Sequence, residues 1–120
     1  MIFKIDEYKN RSNLVRDLND LLPVYLITDP FEDMMKVEHV SKQYFRAEKP
    51  IKKENGALEF PNETWRQRIT SGQIIATSLE EAKHYIHTKR AERILLEFDE
   101  LEKKYEEYKK FKEDYPHYFI

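Results

Sequence analysis

"SLEEAKHYIHTKRAERILLEFDELEKKYEEYKKFKEDYP", residues 78–116, holds no glycine and no proline before its last position. Those are the two residues that most strongly break helices. The stretch therefore reads as one continuous helix, about 50 Å long at ~1.5 Å per residue. Ser78, followed by Glu81, forms a capping box that fixes its start. Pro116 stops it. Two apolar stripes run along it. Leu79, Ala82 and Ile86 form the first. From Ala91 onward, Ile94, Phe98, Leu101, Tyr105, Tyr108 and Tyr115 follow heptad spacing, with Lys112 in one slot. At ~100° per residue the two stripes lie roughly a quarter turn apart. The first half is expected to pack on the rest of the chain, and the second half to present a separate, aromatic-rich seam.

Three occupants compete for that seam: the chain's own N-terminal helix, a second copy, or a different protein. Ala, Phe and Tyr at one seam position depart from the Ile/Leu pattern of dimeric coiled coils. Beyond Pro116, Tyr118, Phe119 and Ile120 form an apolar tail that is sticky unless it packs somewhere. Phe98, Leu101, Tyr105, Tyr108, Phe111, Tyr115, Tyr118 and Phe119 are the candidate residues for partner binding or self-association.

Upstream of the long helix the pattern changes period. "MIFKI" alternates and reads as a short strand. In "RSNLVRDLNDLLP", Leu14, Val15, Leu18, Leu21 and Leu22 recur at helical spacing, with Ser12 as the expected cap and Pro23 as the stop. "VYLIT" is a buried-strand pattern, and "DPFED" a turn. "KVEHVSKQYFRAEKPI" reads as one strand, broken near its middle. "KKENG" is a loop with Gly56 at positive φ. "ALEF", "TWRQRI" and "QIIAT" are further strands, with "TSG" as a turn. The stretch 36–77 is thus expected to form a small antiparallel meander or barrel. The fold class is α+β: a small antiparallel sheet or barrel, an N-terminal helix and a long C-terminal helix. A single domain is expected, with a body at 1–77 and the helix at 78–115.

Composition narrows the function. The 120 residues carry a net charge of −2, so no global field advertises nucleic acid or an anionic membrane, and no dense acidic surface mimics DNA. With no cysteine, disulfides, thiolate metal sites and cysteine nucleophiles are excluded. No apolar run is long enough to span a membrane, and a cytoplasmic protein is expected. The only glycines are Gly56 and Gly72, so there is no glycine-rich phosphate cradle. His117 has no serine near it in sequence. A non-enzyme without a cofactor is the expectation.

Two weaker constellations stand beside the seam. Glu80, His84 and His87 share a helix face at spacing that can hold a divalent metal, although a solvated polar face is the preferred explanation and no metal is expected. "KQYFRAEKPIKK" interleaves cations with aromatics. Lys42, Tyr44, Arg46 and Trp65 are the candidate nucleic-acid residues, since such a surface can stack bases and track phosphates; Arg66 and Arg68 extend the set. Core packing of Phe45 and Trp65, with the cations as ordinary edge-strand charges, is the preferred explanation.

The succession "KVEHVSKQYFRA", "LEF", "ETWRQ", a final strand and "TSLEEA" opening a helix resembles small uncharacterised bacteriophage accessory proteins over about residues 36–98. In that layout a strand bearing lysine and tyrosine begins a compact β-barrel that a capped helix closes; Ser41 stands where glycine is common. The resemblance carries no catalytic residue. It implies a short phage-encoded protein, working in the host cytoplasm by binding host or defence components. The leading expectation is therefore a non-catalytic protein-binding inhibitor or adaptor that acts by occlusion. A nucleic-acid-binding β module and a small-ligand sequestering protein are the alternatives.

Overall fold

The computed structural model describes residues 1–28 and 33–119. The chain divides into two compact units, Met1–His87 and Thr88–Ile120, with the boundary inside the long helix. The fold is α+β. In chain order the elements are β1 (Ile2–Lys4), α1 (Arg11–Leu21), β2 (Val24–Thr28), β3 (Asp33–Val40), β4 (Tyr44–Glu48), β5 (Ile51–Lys52), β6 (Leu58–Glu59), β7 (Trp65–Arg68), β8 (Ile74–Ala76) and α2 (Leu79–Asp114). Short 3-10 turns cover Ile5–Glu7 and Pro116–Phe119.

The first unit is built on an open antiparallel sheet of order β1-β8-β2-β3-β4-β7, with β5 and β6 pairing separately. β2, β3 and β4 follow one another as a meander, and the sheet is open rather than a closed barrel. The last strand, β8, inserts between β1 and β2 and pairs with both: Ile75 lies opposite Phe3 on one side and Leu26 on the other. The break expected near the middle of the 36–51 pattern separates β3 from β4, and the two halves pair with each other. Ser41 closes a tight hairpin between β3 and β4. Its amide donates to the Tyr44 carbonyl at 2.9 Å, and its hydroxyl accepts from the Tyr44 amide at 3.2 Å. A bulge between Val37 and His39 shifts the register, so that both Val37 and Val40 are buried.

Alternation along the strands sends side chains to two faces. Val24, Leu26, Val37, Phe45, Ala47 and Ile75 pack with Leu14 and Leu18 of α1. Ile27, Met34, Ile74 and Ala76 pack with Ala82 and Ile86 from the start of α2. The first stripe of the long helix is thus used as its spacing predicts. Asn19 ties α1 to the sheet: its amide donates to the Val40 carbonyl at 2.9 Å and its oxygen accepts from the Val40 amide at 3.1 Å.

The ends of the helices differ in detail from expectation. Asn10, not Ser12, caps α1, its side chain accepting from the Ser12 amide at 2.8 Å. Asparagine's short side-chain carbonyl reaches that first-turn donor from outside the helix. At α2, Ser78 accepts from the Glu81 amide at 3.1 Å, one half of the box. The Glu81 carboxylate instead meets the amino group of Met1. α1 ends two residues before Pro23, and the Leu22–Pro23 bond is cis. Gly56 and Gly72 both adopt positive φ, at 82° and 86°, as their turns require. Most of the "DPFED" turn, residues 29–32, and the tail residue Ile120 lie outside the described residues.

Candidate functional site

The second unit is the later part of α2 and the turn after it. Every residue from Arg90 to Phe119 is exposed. That includes the seam: Phe98 is 57 % exposed, Leu101 62 % and Tyr105 58 %. Ile94, Leu95, Tyr108 and Phe111 are likewise uncovered. Full burial of one such side chain is worth about 1.5–3 kcal/mol. Helices of this kind draw most of their stability from packing an amphipathic face, and within this unit the face has nothing to pack on. The ion pairs along it, Lys89–Glu92 at 3.5 Å, Arg93–Glu97 at 3.8 Å and Lys109–Glu106 at 3.9 Å, add only about 0.3–0.5 kcal/mol each.

The end of α2 is more organised. The Tyr115 amide donates to the Phe111 carbonyl at 2.8 Å, and Pro116–Phe119 then turns back along the helix. Phe119 meets Tyr108 edge-on at 5.4 Å and Phe111 at 5.8 Å. Phe111 meets Tyr115 at 5.0 Å. Edge-to-face contacts at such separations are favourable, so the tail forms an aromatic turn on its own helix. Lys109 and Lys112 lie over the rings of Tyr105 and Tyr108, at 5.1 Å and 5.8 Å. The predicted residues from Tyr105 to Phe119 therefore form one continuous apolar surface.

The basic strand constellation is rearranged. Cross-strand partners project from the same face of a sheet. Tyr44 lies opposite Arg68, and Arg46 opposite Arg66. His39 lies opposite Arg46 on the other side. Tyr44 and the three arginines thus share one exposed face, with Arg66 5.7 Å from the centre of the Tyr44 ring. Trp65 is not part of it. It lies opposite buried Ala47 and belongs to the face that carries α1, 63 % exposed on the edge strand. Lys42 is in the hairpin turn, where its carbonyl accepts from Arg11 at 2.9 Å. The alternation in "WRQR" was the available signal for replacing Trp65 by Arg66 and Arg68.

Among the described residues no group of three or more His, Asp or Glu side chains is arranged to hold a metal ion. Glu80 of the Glu80, His84 and His87 trio is engaged by Lys83 at 3.8 Å. One carboxyl stands out elsewhere. Glu48, at the end of β4, is 1 % exposed, and neither oxygen has a hydrogen-bond partner among the described residues. Its cross-strand neighbour Lys36 turns instead to Glu38, at 3.4 Å. Among the described residues no helix is long and apolar enough to cross a membrane.

No protein-family model, no curated protein and no solved structure matches the chain, so the bacteriophage resemblance rests on the residues quoted for it.

Proposed function

We propose that the protein acts without catalysis, by binding another protein through the apolar face of α2 and the aromatic turn that ends it. The observation that carries this reading is the run of uncovered side chains from Ile94 to Phe119. Aromatic residues on a preformed helix supply large contact area at small entropic cost, and such anchors dominate binding energy at interfaces. The mechanism is occlusion: the face covers a functional surface of its target. The resemblance to phage accessory proteins supports a host or defence protein as that target, and an inhibitor or adaptor role for the chain. The test compares wild type with the Tyr105→Ala/Tyr108→Ala variant in capture from cells of its origin. Loss of the captured protein is expected. Unchanged capture in the variant refutes the reading.

A second reading has its own observation. Arg46, Arg66 and Arg68 share a face, and none pairs with a carboxylate among the described residues. Opposed like charges destabilise a strand pair, and an anion would relieve that cost. With Tyr44 as a stacking surface, the face suits single-stranded nucleic acid. Three phosphate contacts give a salt slope near −2 for a single strand, so binding weakens about twentyfold between 50 and 200 mM salt. A gel shift with short single strands at both salt levels decides it; no shift at low salt removes this reading.

A further inference from the structure

We infer that the section Thr88–Phe111 of α2 pairs with the same section of a second copy, in antiparallel orientation, with Phe98 facing Leu101. The inference rests on the docking reading above and names the first occupant of that face.

Charge pattern and side-chain size decide both orientation and register. Ala91, Phe98 and Tyr105 occupy one seam position of the heptad, and Ile94, Leu101 and Tyr108 the other. In a parallel pair each layer joins identical residues, so Phe98 meets Phe98, and Lys112 meets Lys112 inside the seam. The flanking contacts of a parallel pair set Glu97 against Glu102 and Lys104 against Lys109. Both are like-charge. In an antiparallel pair the two seam positions face each other. Setting Phe98 against Leu101 brings Ile94 to Tyr105 and Ala91 to Tyr108. Every layer then joins a larger side chain to a smaller one, the arrangement that fills an interface without voids.

The flanks agree. In this register Glu97 meets Lys104 of the second copy, and two-fold symmetry repeats the pair. Lys104 has no carboxylate partner among the described residues, and Glu97 holds only Arg93, at 3.8 Å. On the other flank exposed Leu95 is covered by the methylene stem of Glu102. Shifting by one heptad in one direction opposes Lys104 to Lys104 and Glu102 to Glu102. Shifting in the other opposes Glu97 to Glu97 and Arg90 to Lys104. Only the central register is free of like-charge contacts.

The experiment measures the dimer dissociation constant by sedimentation equilibrium for wild type, Glu97→Lys, and Glu97→Lys/Lys104→Glu. These positions are exposed, and circular dichroism checks that helix content is kept. Glu97→Lys turns two attractive pairs repulsive and weakens the dimer about tenfold; the double variant restores it. In a parallel dimer Glu97→Lys faces Glu102 and tightens association, which overturns the proposed orientation. The chain has no cysteine, so Lys110→Cys takes a single spin label. Antiparallel pairing separates the two labels by about 30 Å along the axis, at ~1.5 Å per residue; labels side by side overturn the proposal. Wild type that stays monomeric at every concentration overturns self-pairing alone. The docking reading falls separately, through unchanged capture by Tyr105→Ala/Tyr108→Ala.

Discussion

Replacing Glu48 is expected to stabilise the first unit. The side chain is buried, and both carboxyl oxygens lack a partner among the described residues. A buried polar group left unsatisfied costs about 1–3 kcal/mol. Lys36, the closest cation by register, is committed to Glu38 and lies 5.7 Å from the Phe60 ring centre. Glu48→Met keeps the length and removes both orphaned acceptors. It should therefore raise stability by about 1–3 kcal/mol, or the melting temperature by about 5–15 °C for a unit of this size. Glu48→Gln leaves an unsatisfied amide and should shift stability by less than about 1 kcal/mol. The assay is urea and thermal denaturation followed by fluorescence of Trp65, the single tryptophan, which reports on this unit. The exposed Glu54→Gln serves as a control with no expected effect. A fall in the Glu48→Met midpoint refutes the reasoning, because it means that the carboxyl is held by a stabilising partner.

Other perturbations test other parts of the account. Leu18→Ala, fully buried between α1 and the sheet, should destabilise the first unit by about 2–5 kcal/mol in the same denaturation assay. Tyr8 has its pKa raised above 10.0, by burial first and then by the hydrogen bond it donates to Asp17 at 3.0 Å. A raised folded-state value gives stability that is present below pH 10 and lost as pH rises through the folded value. The wild-type denaturation midpoint should thus fall more steeply above that pH than the Tyr8→Phe midpoint. If single-stranded nucleic acid binds, Arg66→Ala/Arg68→Ala should abolish the gel shift and Trp65→Ala should leave it unchanged.

What the sequence shows and hides follows from the range of the interactions involved. The strands around Ile2, Val24, Trp65 and Ile74 were legible because alternation and apolar runs are local signals. So was the change of stripe in α2, where Ala82 and Ile86 are buried and Phe98 and Tyr105 are not. The hairpin at Ser41 was not legible: no glycine, proline or asparagine marks it, and a serine side chain does the closing. The insertion of β8 between β1 and β2 is a pairing of residues distant in sequence, with no local trace. Trp65 looked like a companion of Tyr44 because both are aromatic and near cations; only the register with Ala47 places it on the other face. Glu48 falls in the alternation as a surface position, and only tertiary packing buries it.

Absolute mass by light scattering after size exclusion, over a range of concentrations, tests most directly the central structural claim, that the uncovered face of α2 pairs with a second copy. The uncovered face of α2 predicts a mass that rises to twice 14.7 kDa as concentration increases, and that returns to the single-chain value in Phe98→Glu. A wild-type mass of 14.7 kDa throughout would contradict it.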